Sequence, residues 1–335
     1  KIMSDEKLVI GICKQFDDGS QQHFMRLLEN FNVEFNEFET PRDASKSLLD
    51  GDIDLVGLSG LSAFDLGFSG NSSISGLEIS TFLPRREPTL IMVSKDKINH
   101  LPRNGKIFAD SKLISRQLKR FRPDINVIGK TDLDLNELDL FSIVEKLDEL
   151  HQNNTIDGYV LERSEWNQFK KKGRRHTLGM RIDNDESKYR FIPPPLRGFS
   201  LLISRIGFPK KIFEALNDEQ SMISFNVESK LFLELDKDNL LGLNVSTRKI
   251  STIARSLNEE GGLISDIIFE KLIALEKSDE LKGSIQMVEI IMETLSENGK
   301  KTFSLEKKYL PDDDEYRILR ILVEEWNKII ELTID

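Results

Sequence analysis

Two short apolar runs, Lys7-Leu-Val-Ile-Gly-Ile12 and Ile53-Asp-Leu-Val56, decide the fold class of this 335-residue chain. Runs of this length that are rich in Val, Ile and Leu are typical of buried strands. Between them, Gln21 to Phe31 has apolar residues at helical spacing, Val33 to Phe38 indicates a strand, and Ala44 to Leu49 indicates a short helix. This alternation predicts a βαβ series, and therefore a parallel sheet with right-handed crossovers.

The same alternation returns further along the chain and predicts a second α/β lobe. Its predicted elements are the strand Lys106 to Ala109, the helix Lys112 to Phe121, the strand Ile125 to Ile128, the helix Phe141 to His151 and the strand Gly158 to Leu161. Leu77 to Phe82 and Leu90 to Ser94 are further predicted strands. The apolar run from Arg190 to Ser204 is expected to lead the chain back to the first lobe.

The pattern changes after Asn244 and predicts a small β-β-α unit. Lys249 to Arg255 and Leu263 to Phe269 are rich in β-forming residues, and a helix is expected from about Asp279 to Leu295. The tail from Asp312 to Leu332 has apolar residues on one helical face, so an amphipathic helix is expected there. It would dock on the body of the protein or on a second copy. The predicted domains are 1–94 with 191–227, 95–190, 228–298, and a helical tail at 299–335.

Composition and charge narrow the classes of partner. A formal net charge of -10 disfavours nucleic-acid binding and anionic membranes, both of which attract clustered Lys and Arg. Cys13 is the only cysteine, which excludes an intramolecular disulfide and a cysteine-based zinc cluster. The four histidines lack metal-ligand spacing, so we expect no metal site and predict surface or helix-end positions for them. With no run of about 20 apolar residues and no signal-peptide pattern at the start, a cytoplasmic location is expected.

A segment rich in Gly and Ser, Gly57 to Gly76, follows the predicted strand that ends at Val56. Open α/β sheets bind ligands at the carboxyl ends of their parallel strands. The segment is therefore either a ligand-binding loop or a flexible surface loop.

The run Phe191-Ile-Pro-Pro-Pro-Leu-Arg-Gly-Phe-Ser-Leu-Leu-Ile-Ser-Arg205 resembles the FLPAPGQGALAIECR motif of porphobilinogen deaminases (hydroxymethylbilane synthases). Other stretches resemble signatures of the same family in the same order. They are Ser47 to Val56, Gly76 to Ile79, Leu83 to Pro88, Arg122 to Ile125, Glu145 to Glu149 and Glu228 to Asp236. The resemblance covers about residues 7 to 298. It implies an α/β fold of two periplasmic-binding-protein-like βαβ lobes, a small α+β third domain and then a C-terminal helix.

The resemblance also implies which chemistry this chain lacks. The cysteine that attaches the family's dipyrromethane cofactor aligns with Asn239, and asparagine cannot form a thioether. Arginines that bind the substrate's carboxylates in the family align with Leu113, Ile114, Glu137 and Ile143. We therefore expect no cofactor and no dipyrromethane-dependent deaminase activity. The retained cleft would bind a small molecule or a protein partner. We expect no nucleic-acid and no membrane partner. A homo-oligomer formed through the C-terminal helix is a further option.

The candidate site residues come from the same resemblance. The family's catalytic aspartate aligns with Ser62, or with Asp65 if three residues are inserted. Asp65 would restore a catalytic carboxylate. The alternative therefore stays open that the chain is a functional hydroxymethylbilane synthase with a rearranged active site, that is, a transferase of porphyrin and tetrapyrrole biosynthesis. The residues expected to line the ligand cleft are Cys13, Lys14, Gln15, Ser59, Ser62, Ser111 and Lys112.

Overall fold

The computed structural model describes residues 7–13, 18–70, 72–169, 173–180, 190–235, 240–249, 286–311 and 313–331. The chain divides into two compact units. The first unit comprises Lys1–Thr89, Leu161–Gly173 and Pro195–Leu233, and the second comprises Leu90–Val160, Arg174–Pro194 and Glu234–Asp335. The domain boundaries expected from the sequence stay a prediction.

The first unit is built on a five-stranded sheet. Its strands are β1 (Leu8–Cys13), β2 (Val33–Phe38), β3 (Leu55–Ser59), β4 (Leu77–Phe82) and β10 (Ser200–Arg205). Their order is β2-β1-β3-β10-β4, with β1 parallel to β2 and β3, and β10 antiparallel to β3 and β4. The carboxyl ends of β1, β3 and β4 therefore lie at the same edge as the start of β10. We call this edge the first carboxyl edge.

Helices cover both faces of this sheet. They are α1 (Ser20–Leu27), α2 (Pro41–Asp50), α3 (Gly60–Asp65), α6 (Arg163–Trp166) and α7 (Glu219–Leu235), with a 3-10 helix at Lys210–Leu216. Ile10 and Ile12 of β1 pack with Phe24 of α1, whereas Cys13 belongs to the cluster that contains Leu48 of α2. Because both faces of the central strands β1, β3 and β10 are buried, these strands appear in the sequence as mainly apolar runs.

The second unit repeats this plan. Its five-stranded sheet has β5 (Leu90–Ser94), β6 (Lys106–Phe108), β7 (Asn126–Ile128), β8 (Gly158–Glu162) and β9 (Arg175–Leu178). The last two residues of β8 belong to the first unit. Its helices are α4 (Lys112–Phe121) and α5 (Leu140–Gln152), with 3-10 helices at Ile98–His100 and Thr131–Leu133. The order is β7-β6-β8-β5-β9, and β6 is parallel to β7 and β8. The predicted pair of βαβ series, and with it the α/β fold class, is confirmed.

A small antiparallel sheet and a helix complete the second unit. The sheet has the order β11-β12-β13, with β11 (Gly242–Lys249), β12 (Gln286–Leu295) and β13 (Thr302–Tyr309). The helix predicted from Asp279 to Leu295 is wrong where the structure describes it, since Gln286–Leu295 form the central strand. Residues 279–285 and the predicted strand Leu263 to Phe269 lie outside the described residues. Pairing on both sides of β12 and the β-branched residues Val288, Ile290 and Ile291 favour the strand.

The amphipathic tail forms α8 (Glu315–Glu331). Leu319, Leu322 and Trp326 are buried, and the helix lies against β13. The prediction that it docks on the protein's own body is confirmed, while association of two copies through it stays a prediction. Within the described residues, no helix combines the length and apolar character that a bilayer-spanning segment needs.

Candidate ligand-binding site at the first carboxyl edge

Four chain segments meet at the first carboxyl edge. β1 ends at Cys13, β3 ends at Ser59, and β4 ends at Phe82. β10 starts in register with them, because Ser200 pairs with Ser59 and the next residue pairs with Phe82. This is the edge where open α/β sheets bind their ligands.

Two of the predicted site serines lie together here. The Ser59 side chain caps α3 by accepting a hydrogen bond from the Ser62 amide at 3.2 Å, and its hydroxyl donates to the Ser62 hydroxyl at 2.9 Å. Both residues are buried. The sequence predicted a loop from Gly57 to Gly76. In the structure this segment begins with the last three residues of β3 and the short capped helix α3.

The other predicted residues are more scattered. Cys13 is buried at the end of β1, where its carbonyl oxygen accepts a hydrogen bond from the Gln21 side chain. Asp65 is exposed at the end of α3, and partial burial raises the pKa of its carboxyl, although the nearby charge of Arg197 opposes the shift. Three predicted positions, Lys14, Gln15 and Asn239, lie outside the described residues.

Ser111 and Lys112 belong to the second unit. Ser111 caps α4 by accepting from the Ile114 amide at 3.4 Å, and Lys112 is exposed. They follow the end of β6, just as Ser59 lies at the end of β3, so they occupy the corresponding carboxyl edge of the second sheet.

The structure adds charged residues that the sequence did not single out, beginning with Arg86. Its Nη1 donates to the Asp18 carbonyl oxygen at 2.6 Å, and its Nη2 lies 2.9 and 3.0 Å from the two Asp18 carboxylate oxygens. Nη2 also donates to the Phe199 carbonyl oxygen at 3.1 Å. The side chain of Arg86 is only 12% exposed. One guanidinium thus ties the segment before α1 to the segment before β10.

Arg85 forms a second buried pair beside the first. Its Nη1 lies 3.0 Å from Oε2 of Glu228, whose side chain is fully buried, and its Nε donates to the Arg197 carbonyl oxygen at 2.8 Å. The guanidinium also stacks 3.9 Å above the centre of the Phe199 ring. Buried charges need partners of this kind, because burial of an unpaired charge is costly.

A third group surrounds Arg197. Its Nε lies 2.8 Å from Oε1 of Glu162 at the start of α6, while the Glu162 amide donates to Oε2 of Glu165 at 3.1 Å. Burial raises the pKa of Glu165 to about 8, and the negative charge of Glu162 adds to the shift. Burial likewise raises the pKa of Glu162. Near neutral pH the two carboxyls therefore keep a proton between them.

His23 of α1 lies near Arg86 and the start of β10. It is buried, and its Nδ1 is 3.0 Å from the Ser200 hydroxyl. Burial, followed by the positive charges of Arg86 and Arg26, lowers its pKa to about 4, so the imidazole is neutral at pH 7. The predicted surface or helix-end position is wrong for this histidine. Among the described residues, no group of three or more His, Cys, Asp or Glu side chains is arranged to hold a metal ion.

Part of this cluster carried a signal in the sequence. Arg85 and Arg86 stand in the Leu83 to Pro88 stretch, and Arg197 stands in the Pro-Pro-Pro-Leu-Arg-Gly run, both quoted above as family-like motifs. The Arg86 amide donates to the Gly198 carbonyl oxygen at 2.9 Å, so the two motifs lie side by side. Asp18 and Glu162 lie in stretches without any such motif, and only folding brings them here.

Comparison with known proteins adds the following. Protein-family models give no match, and neither do curated proteins. Solved structures that match include the periplasmic aliphatic sulphonate binding protein SsuA from Escherichia coli, at 12% identity over 97% of this chain and 88% of that one, with a TM-score of 0.32. A nutrient binding protein from Burkholderia cenocepacia bound to methionine matches at 12% identity over 68% of this chain and 95% of that one, with a TM-score of 0.34. YhfZ from Shigella flexneri matches at 12% identity over 70% and 98%, with a TM-score of 0.31.

The strand orders define one broad class, an α/β protein built from two similar α/β units. At TM-scores this low, no ligand is inferred from the matches. Two expectations are nevertheless corrected. Two of the three matched proteins named above are described as binding proteins, one of them periplasmic, and none is described as a tetrapyrrole enzyme. The expectations of a tetrapyrrole-biosynthesis protein and of a cytoplasmic location are therefore contradicted, and nothing supports membership of the porphobilinogen deaminase family in particular.

Proposed function

We propose that this protein binds a small polar molecule at the first carboxyl edge and releases it chemically unchanged. One observation carries the proposal, namely that three guanidinium groups and their carboxylate partners lie together, mostly buried, where the strands of the sheet end. A fold gains little stability from burying ion pairs, because their desolvation offsets much of the attraction between them. Such groups gathered at a ligand-binding edge therefore favour a role in recognition.

The predicted site residues have different places in this proposal. Asp65 supplies an exposed carboxylate at the rim, near Arg197. Ser59 and Ser62 shape the floor by capping α3, and Cys13 closes the end of β1. A catalytic role for Asp65, and ligand contacts of Ser111 and Lys112 at the second sheet, stay predictions. A protein partner is the alternative occupant that the sequence left open.

Thermal-shift screening tests the proposal. Purified protein is heated with a panel of small amines, amino acids, carboxylic acids and sulphonates, and each hit is then titrated by calorimetry. We expect at least one compound to raise the melting temperature, because a ligand that binds only the native state stabilises it. Mass spectrometry should recover that compound unchanged.

A matched pair of variants locates the site. Asp65→Asn removes the exposed carboxylate at the first carboxyl edge, and Asp50→Asn removes an equally exposed one at the end of α2, at the opposite edge of the same sheet. Affinity should fall several-fold in the first variant and stay unchanged in the second. A panel in which no compound stabilises the protein, or a hit whose affinity both variants leave intact, would show that the proposal is wrong.

A further inference from the structure

The charged cluster at the first carboxyl edge holds more acid than base. Among the described residues, three guanidinium groups, those of Arg85, Arg86 and Arg197, face five carboxyls. The five carboxyls are those of Asp18, Asp65, Glu162, Glu165 and Glu228. Arg86 already uses both terminal nitrogens on Asp18 and on the Phe199 carbonyl oxygen, and Arg197 already faces Glu162. The local excess is therefore negative.

A second observation is independent of charge. Oε2 of Glu162 is buried and has no hydrogen-bond partner within the described part of the chain. The hydroxyl of Ser164, a residue that is only 5% exposed, likewise has no partner there. Both atoms belong to the start of α6, whose Ser164 carbonyl oxygen abuts Gly19 in the segment that Arg86 ties down. Buried polar atoms without partners are uncommon in native proteins, which indicates that something else bonds to them.

We infer that the ligand carries a primary ammonium group, and that this group enters at Glu162 and Glu165 and displaces the proton that the two carboxyls hold. The inference deepens the proposed function and rests on it. In the exchange, the O–H bond of the carboxyl breaks and its proton passes to solvent. An N–H of the ammonium group then donates to the carboxylate oxygen, so one positive charge replaces another and the cluster keeps its charge.

The chemistry of the cluster disfavours the other simple ligands. An anionic group would add to the negative excess. The buried Nε of Arg86 has no hydrogen-bond partner among the described residues, but both terminal nitrogens of this guanidinium are already bonded. A metal ion needs three or more ligands around one point, and the described residues offer no such group. An ammonium group needs only separate acceptors for its N–H donors, which the unpartnered Glu162 oxygen and a deprotonated Glu165 provide.

The charges that face the two carboxyls set the direction of the pH dependence. Arg197 and Asp18 act on both, and Arg86 acts on Glu162. Burial and mutual repulsion outweigh the arginines, so Glu165 is protonated up to about pH 8. Below that pH an incoming ammonium group must displace a proton, whereas above it the carboxylate is already formed. Affinity for an amine should therefore rise from about pH 6 to about pH 9.

Titration calorimetry with the full chain tests the inference. The probes are n-butylamine, 1,4-diaminobutane and L-lysine, compared with butyrate and succinate, each measured at neutral pH in phosphate and in MOPS buffer, neither of which contains a primary amine. We expect an amine to bind and the two acids not to bind. The heats in the two buffers should differ by the ionisation of close to one proton per bound amine, since MOPS and phosphate differ in ionisation enthalpy.

Glu165→Gln is the decisive variant. Glutamine keeps an oxygen that can accept from the Glu162 amide but cannot carry the exchangeable proton, so the start of α6 should be retained, which circular dichroism checks. Amine affinity should fall roughly tenfold, the size of one charge-assisted hydrogen bond, and the buffer dependence should vanish. Glu29→Gln, an exposed glutamate beyond the end of α1, should change neither quantity.

The outcomes separate the two proposals. Amine binding that releases no proton in the wild-type protein, or tighter binding of the acids, would overturn the inference. If amines fail while another compound of the screening panel binds in an Asp65-dependent manner, the inference falls and the proposed function stands. If the whole panel fails, both fall.

Discussion

The carboxyl edges of the two five-stranded sheets begin from the same plan and end with different chemistry. In each, a parallel strand leads into a helix capped by a serine, Ser59 in the first unit and Ser111 in the second. The first edge then gains buried ion pairs, whereas the second carries the ion pair of Lys130 with Asp110, at 2.7 Å, with side chains 35% and 49% exposed. The fold thus supplies the edge twice, and within the described residues the buried pairs gather around the first, with Glu162 contributed by the end of β8.

The reason is the route of the chain. At the first edge, β10 runs antiparallel between β3 and β4, so its start and the end of β4 bring Arg197, Arg85 and Arg86 to one place. At the second edge, the ion pair joins residues that follow two neighbouring strands, β6 and β7. Exposed pairs of this kind contribute little to stability, and buried ones cannot lose a partner without a large cost.

Breaking a pair at each edge should show the largest difference. Glu228→Gln leaves the buried guanidinium of Arg85 without its carboxylate, and we expect the free energy of unfolding to fall by about 3–5 kcal/mol. Asp110→Asn at the second edge should cost about 1 kcal/mol or less. Urea denaturation measures both, with Trp166 and Trp326, which are buried in the first and second units, as fluorescence reporters.

Each reporter can be isolated in a background in which the other tryptophan is replaced by phenylalanine. The loss from Glu228→Gln should appear in the Trp166 signal. Equal and small losses in the two variants would mean that the charges at the first edge are not effectively buried.

A smaller loss of stability is expected from adding a methyl group between the segment that contains Arg86 and the segment that contains Arg197. Gly198 has a φ of 82° and a Cβ added to it would lie 2.3 Å from the Arg86 carbonyl oxygen. Gly207 has a similar φ of 90° with nothing within 4 Å. Both alanine variants carry the backbone strain of the left-handed region. Only in Gly198→Ala does the added methyl group also clash with a neighbour, so its free energy of unfolding should be lower by an additional ~1–3 kcal/mol.

Thermal or urea unfolding of the two alanine variants gives this comparison directly. If Gly207→Ala proved as destabilising as Gly198→Ala, backbone strain alone would account for both losses. The close packing of the two motifs would then have no measurable energetic weight.

The pH dependence of stability sharpens the contrast further. The pKa of Glu165 is about 8 in the folded protein, above the ordinary value of 4.5, so the folded state binds a proton that the unfolded chain has lost. The stability that this proton contributes is fully present below about pH 4.5 and is lost as the pH rises towards 8, by up to about 1.4 kcal/mol per pH unit. Glu165→Gln should flatten this slope.

Unfolding free energies measured at several pH values between 5 and 8 check this, with Glu29→Gln as the control that should keep the wild-type slope. If the unfolding free energy of Glu165→Gln depended on pH as steeply as that of the wild-type protein, the proton would belong to another group.

The smallest expected effect compares the two serine caps. Ser59 bonds both the amide and the hydroxyl of Ser62 in a buried setting, whereas the bond from Ser111 to the Ile114 amide is longer and half-buried. We expect Ser59→Ala to cost about 1–2 kcal/mol and Ser111→Ala about 0.5 kcal/mol. Melting temperatures rank the two, and a reversed order would contradict the difference in burial between the edges.

The sequence predicted the fold better than the site. Strands such as Val33–Phe38, Leu77–Phe82 and Leu90–Ser94 were predicted with their correct bounds, because short runs that are apolar or alternate between apolar and polar residues are typical of strands. The prediction failed at Gln286–Leu295, a run that contains Glu289 and Glu293 and that was expected to be helical but forms β12. In the structure both carboxylates are buried, and Glu293 pairs with Arg120 of α4 at 2.7 Å. A partner more than 170 residues away cannot be read from the local pattern.

The amino-acid sequence by itself determined the two α/β series, the amphipathic tail and the absence of a second cysteine, because periodicity and composition are local properties. Only the tertiary structure decided which charges meet. Asp18, Arg86, Glu162 and Arg197 come from four separate segments, and their pairing exists only after the strands have aligned their ends at one edge. Electrostatic interaction depends on distance in space and on burial, and neither quantity is written in the order of residues along the chain.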